Sequence, residues 1–162
     1  MTGRQKVWLV GILILFVKGA LGGESRWNRP TPELNAPVKM RVHRSASCSC
    51  CGKWLEHVKR HGFLVEDLIE ENMDKVKDEL GIPKDLRSCH TAEVSGHVVE
   101  GHVPAGDIKR LLGLTAGPYG LSVPGMPVGT PGMEMGATKA VFSVIGFERD
   151  GRRSVYSEYR EE

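Results

Sequence analysis

From Val38 the chain alternates apolar and polar positions in "VKMRVH", the pattern of a strand with one buried face. "CGKWLEHVKRHG" shifts to a helical period that gathers Trp54, Leu55 and Val58 on one side, with Gly62 placed to stop it. "FLVEDLIE", from Phe63, predicts a second strand. Strand, loop, helix and strand in that order predict two parallel strands with a right-handed crossover. The loop then lies at the carboxyl end of the first strand, the edge where open α/β sheets bind ligands.

Further along, "NMDKVKDELG" predicts a helix capped by Asn72 and ended by Gly81, and "IPKDLRSCH" predicts a loop. "TAEVSGHVVEGHVP" predicts a hairpin turning at Ser95-Gly96, and "PAGDIKRLLG" a helix with Pro104 in its first turn. Between Gly113 and Gly136 both periods vanish. "GLTAGPYGLSVPGMPVGTPGMEMG" predicts one long loop in which Pro-Gly-Met occurs twice, at Pro124 and Pro131. "AVFSVIGFE" and "SVYSEY" predict a closing hairpin around Asp150-Gly151.

Ahead of this pattern, "ESRWNRPTPELNAPV" has three prolines and no period, so residues 24–37 are expected to form a flexible lead-in. Residues 1–23 carry Arg4 and Lys6, an apolar run of 11 residues from Val7 to Val17, and small residues from Ala20 to Gly23. That layout predicts a cleaved export signal. A helix that crosses a bilayer needs about 20 apolar residues, so no permanent membrane span is expected. One domain, residues 38–160, remains to fold.

Charge narrows the partners. The 22 Lys and Arg against 20 Asp and Glu give +2, and without Arg4, Lys6 and Lys18 the balance becomes 19 against 20. No basic excess is left to attract nucleic acid.

The four cysteines carry the chemistry. Three stand within "SASCSCCGKW", at Cys48, Cys50 and Cys51, and the fourth, Cys89, is followed by His90. In an exported chain, thiols persist when paired, metal-bound or redox-active. Adjacent cysteines make poor disulfides, whereas Cys48 and Cys51 have the Cys-x-x-Cys spacing of thiol-disulfide enzymes, and a bridge from either to Cys89 is also open. Metal binding suits the crowding better, because one sulfur can bridge two ions. Thiolates and thioethers select Cu(I), and imidazole accepts both copper oxidation states. A helix start beneath Cys50 and Cys51 favours their thiolates.

Cys89, His90 and His102, the last held shortly before a proline, are the further candidate ligands, with Met126 and Met133 from the two Pro-Gly-Met turns. His57 and His61 are expected to face solvent, His97 to lie on the surface and His43 to be structural. Two other readings stand beside copper: a thiol-disulfide oxidoreductase using Cys48 and Cys51, and a structural zinc site.

"CSCCGKW", "SCHTAEVSGHVVEGHVP" and "GLSVPGMPVGTPGMEMG" together resemble the CopG-like copper-resistance proteins, in the family's order, from about Val38 to Tyr159. The resemblance implies a periplasmic α/β protein with a variant thioredoxin-like fold, a Gly/Pro/Met-rich loop and a C-terminal β-hairpin. It also implies a cysteine-bridged, four-copper cluster that cycles copper between oxidation states. Copper ions are the expected partner, with copper-transport or copper-chaperone proteins as candidate ones. Cys48, Cys50 and Cys51 match the family's Cys-x-Cys-Cys motif, Cys89 its later cysteine, and His102, Met126 and Met133 the remaining motifs. Whether the protein is a copper oxidoreductase or a binding protein alone is not fixed by these residues.

Overall fold

The computed structural model describes residues 25–136 and 141–160; the expected export signal lies outside them. β1 (Val38–Arg44) and β2 (Phe63–Ile69) pair in parallel, in register from Val38 opposite Phe63 to Arg44 opposite Ile69, and α1 (Ser49–Arg60) links them. The predicted opening unit is therefore present. α2 (Met73–Glu79) is capped by the Asn72 side chain, which accepts from Lys75 N, one of the NH groups a helix start leaves unpaired.

β3 (His90–Val94) and β4 (His97–Glu100) form the hairpin around Ser95-Gly96, and α3 (Ala105–Leu112) follows with Pro104 at its cap. The stretch expected to be one long loop is interrupted by β5 (Gly120–Ser122), parallel to β4 and antiparallel to β6 (Phe142–Phe147). β7 (Arg153–Tyr159) closes the hairpin with β6. The result is a mixed sheet in the order β2-β1-β3-β4-β5-β6-β7.

Apolar alternation places one core on each side of this sheet. Met40, Val42, Ala92, Val94, Val99, Leu121 and Val144 pack with Trp54, Leu55 and Val58 of α1 and Ile108 and Leu111 of α3. Val98, next to Val99, instead joins Phe147, Ile82 and Leu86 in a smaller cluster. Neighbouring strand residues point to opposite faces, so both faces are covered at β4.

Two expectations are corrected by packing. Within the expected flexible lead-in, Trp27 is buried in a short 3-10 turn, stands edge-on to Tyr159 at 5.1 Å and donates its indole NH to Gly129 O at 2.8 Å. An indole fills space and satisfies its own NH there, which composition alone does not reveal. His61 fixes the same segment, donating from Nε2 to Trp27 O at 2.8 Å, with Thr31 Oγ1 at its Nδ1.

His57, expected to face solvent, is buried: its Nε2 accepts from Ala105 N at 3.0 Å, so a side chain of α1 caps α3. Burial, with His61 and Arg60 nearby, pulls its pKa down to about 3. Because the unfolded chain binds this proton near pH 6.5 and the folded chain does not, stability is full above that pH and falls as acid is added. Between pH 7 and pH 5 the loss from this histidine is about 2 kcal/mol. Urea unfolding at the two pH values should show a smaller difference by that amount in His57→Gln, whose side-chain oxygen can still accept from Ala105 N.

Among the described residues no helix is long and apolar enough to cross a membrane. His43 is buried on β1 between Glu70, at 2.7 Å, and Glu93, at 3.0 Å, consistent with the structural role expected of it. His97 is half-buried, its Nδ1 3.0 Å from Pro118 O.

Candidate metal centre

The chain leaves the carboxyl end of β1, turns through Ser45 to Ser47, and starts α1 with Cys48 at the cap position. Cys48 makes no side-chain capping bond, and no acidic residue occupies the first turn. Cys50 and Cys51 therefore sit in the first turn of α1, whose backbone NH groups have no partner within the helix. Cys51 is wholly buried, while Cys48 and Cys50 are half-buried.

Cys48 and Cys51 are joined as a disulfide, and Cys50 and Cys89 are free. Of the bridges the sequence allowed, the Cys-x-x-Cys pair is the one formed. Cys50 Sγ lies 3.5 Å from Cys48 Sγ and 4.0 Å from Cys89 Sγ. All four cysteines, contributed by two segments 38 or more residues apart, fall within one group whose sulfurs lie within 4.8 Å of each other.

A second group shares one member with the first. Cys89, His90 and His102 also place their ligand atoms within 4.8 Å of each other. Cys89 Sγ is 3.2 Å from His90 Nδ1 and 3.2 Å from His102 Nε2. His102 Nδ1 donates to Pro131 O at 2.8 Å, so its proton is on Nδ1 and the lone pair of Nε2 faces the sulfur. His90 Nε2 is buried without a hydrogen-bond partner among the described residues.

Electrostatics hold this corner neutral. Burial, followed by the neighbouring Cys50, pushes the Cys89 thiol up to about 12. Burial also lowers His90 well below its ordinary value, and lowers His102. Neutral imidazoles offer lone pairs at ordinary pH, and a cation arriving at Cys89 must displace a proton. Thiols and two imidazole nitrogens gathered around a shared sulfur fit a soft, thiophilic ion.

The two Pro-Gly-Met turns dock on the segments that carry these ligands. Gly125 N donates to Arg87 O at 3.1 Å, and Ser88 Oγ donates to Gly125 O, which sets Met126 beside the Cys89 loop with its side chain exposed. Gly132 lies against α1 so closely that a Cβ there would stand 2.7 Å from Trp54 N. Pro131 holds His102, and Met133 follows half-buried.

Six of the eight residues singled out from the sequence are thus brought together as sulfur and imidazole donors, and Met126 and Met133 stand on turns attached to them. Glu100 and Lys77, buried beneath the Cys89 loop, were not singled out. Glu100 stands two places before His102 in a run of buried strand, and a charge in that setting is the signal that marked it.

A family model described as "Protein of unknown function, DUF411" matches residues 86–133. None of the curated proteins matches the chain. Two solved structures do, described as "Copper resistance protein copG", Form 2 and Form 1. Each is 47% identical with a TM-score of 0.74, spans 99% of its own length, and covers 76% and 77% of this chain respectively. At that identity over three quarters of the sequence, the chain belongs to the CopG family of copper-resistance proteins.

Proposed function

We propose that this chain is an exported, periplasmic copper-binding protein of copper resistance, which holds several copper ions on shared cysteine sulfurs and interconverts Cu(I) and Cu(II), each ion passing one electron to an external one-electron acceptor on oxidation and taking one from an external donor on reduction. The observation that carries this reading is the position of Cys89: its sulfur lies 4.0 Å from Cys50 Sγ on one side and 3.2 Å from two imidazole nitrogens on the other. A sulfur so placed can be shared between ions. The thiolate side stabilises Cu(I), and the histidine side eases loss of an electron. Met126 and Met133 would add thioethers suited to Cu(I). Copper-transport or copper-chaperone proteins are the expected donors and acceptors.

The finer fold assignment, a variant of the thioredoxin layout, belongs to the same reading. The parallel β1-α1-β2 unit with cysteines at the carboxyl end of β1 supports it.

Elemental analysis of reduced protein incubated with Cu(I) tests the proposal. Two or more copper ions per chain are expected, with a clear drop in Cys50→Ser. Fewer than two per chain, with Cys48→Ser leaving uptake unchanged, would sink the cluster. Zinc retained from both copper-rich and copper-poor media would favour the structural zinc site.

A second reading has one observation in its favour, the Cys48–Cys51 disulfide at a helix start. Such a pair can exchange with external thiols. Insulin reduction by copper-stripped protein, abolished in Cys51→Ser, would support a thiol-disulfide oxidoreductase instead.

A further inference from the structure

Glu100 ends β4 with its side chain fully buried. An ionised carboxylate in that setting is costly unless its oxygens find donors. Glu100 finds three. Oε1 accepts from Lys77 Nζ at 2.6 Å and from the backbone NH of Ser88 at 2.5 Å, and Oε2 accepts from Thr91 Oγ1 at 2.6 Å. Lys77, itself buried, also donates to Thr91 Oγ1 at 2.8 Å.

A simple staple between α2 and the sheet would need only the contact to Lys77. The other two partners are Ser88 and Thr91, which stand on either side of Cys89 and His90. The next residue adds a third hold on the same segment: Gly101 N donates to His90 O at 3.0 Å, and a Cβ at Gly101 would meet Ser88 Cβ at 2.5 Å. His102 then turns Nε2 onto Cys89. Glu100, Gly101 and His102 therefore grip one two-residue segment from three consecutive positions.

We infer that Glu100 is a positioning residue of the metal centre: its carboxylate clamps Ser88 and Thr91 so that Cys89 and His90 face His102, and Lys77 supplies the countercharge that lets it stay buried. Outer partners of this kind orient ligands without touching the ion. Copper enters only through the reading given above, so the test includes a metal-free arm.

Two double variants separate clamp from staple. Lys77→Met with Glu100→Leu replaces the ion pair by apolar groups, a change that often leaves stability near its starting value, but it removes both bonds to the Cys89 loop. Lys77→Met with Glu100→Gln also removes both charges, yet the amide oxygen can accept from Ser88 N and the amide NH2 can donate to Thr91 Oγ1. In reduced, metal-free protein, iodoacetamide should modify Cys89, identified by peptide mass, about tenfold faster in the Leu variant, while the Gln variant stays within about threefold of wild type. Cu(I) affinity, read by competition with a chromophoric chelator, should fall about 10- to 100-fold in the first and be restored in the second.

A folded Leu variant with wild-type alkylation and affinity would overturn the assignment, as would equal losses in both double variants, the result a staple predicts. If the Leu variant does not fold, Thr91→Val removes one arm of the clamp without touching a charge. Cys89 alkylation several-fold faster than wild type then supports the clamp, and an unchanged rate overturns it. Wild-type protein that takes up no copper would sink the copper reading, while the alkylation arm still decides the role of Glu100.

Discussion

Protein oxidised at Cys48–Cys51 is expected to take up less than half of the Cu(I) held by the fully reduced protein. The bond consumes two of four thiols, and the remaining pair, Cys50 and Cys89, stands 4.0 Å apart with a protonated Cys89. Two sulfurs and two imidazoles can hold an ion at Cys89, but the two further sulfur ligands that a cluster of several ions needs are tied up in the bond. The check is a thiol count on each preparation, two free thiols against four, followed by Cu(I) titration against a competing chelator. Equal uptake by both forms would show that Cys48 and Cys51 are not ligands. That outcome would strengthen the exchange reading, in which the disulfide is the working group rather than the closed form of a binding site.

Gly132→Ala is expected to destabilise the protein by about 2–4 kcal/mol and to weaken copper binding together with it. Gly132 has φ +83°, which strains any other residue, and the added Cβ would meet Trp54 N at 2.7 Å and Lys53 C at 3.1 Å. Both are backbone atoms of a helix and cannot turn aside. The turn must lift, drawing Pro131 O away from His102 Nδ1 and leaving the ring free to rotate or change tautomer. Gly125, in the other Pro-Gly-Met turn, also has positive φ but has nothing within 4 Å of the added carbon. Gly125→Ala should therefore cost only the backbone strain, about 1 kcal/mol. Urea unfolding and Cu(I) competition on both variants test the contrast, and equal effects at the two glycines would contradict it.

The opening strand, helix and strand could be read from period alone, because each spans enough residues for its apolar face to repeat. The Ser95-Gly96 hairpin was legible from its turn residues. β5 was not, since Gly120-Leu121-Ser122 is too short to show a period and owes its place to β4 and β6 on either side. Cysteine spacing marked the centre, but not which sulfurs bond. His57 was hidden because it is buried by satisfying a backbone NH on a distant segment, Ala105, and such a bond has no local signature; at Glu100 the charge in an apolar run was the visible signal, but its partner Ser88 N was not. Trp27 was hidden by its prolines, which suggest a free segment even where one indole anchors it.

Because β5 and β6 are adjacent antiparallel strands, the chain leaves the sheet after Ser122 and re-enters it at Phe142 on the neighbouring strand. The ends of this insert are held together by the sheet, so a change in its length adds little entropy cost and shifts no strand register. Met126 and Met133 thus stand on an insert between two paired strands, while Cys50 and Cys51 stand on α1 and His90 on β3. Relatives can therefore be expected to differ in the length of this insert sooner than in the strands and helix that seat those residues.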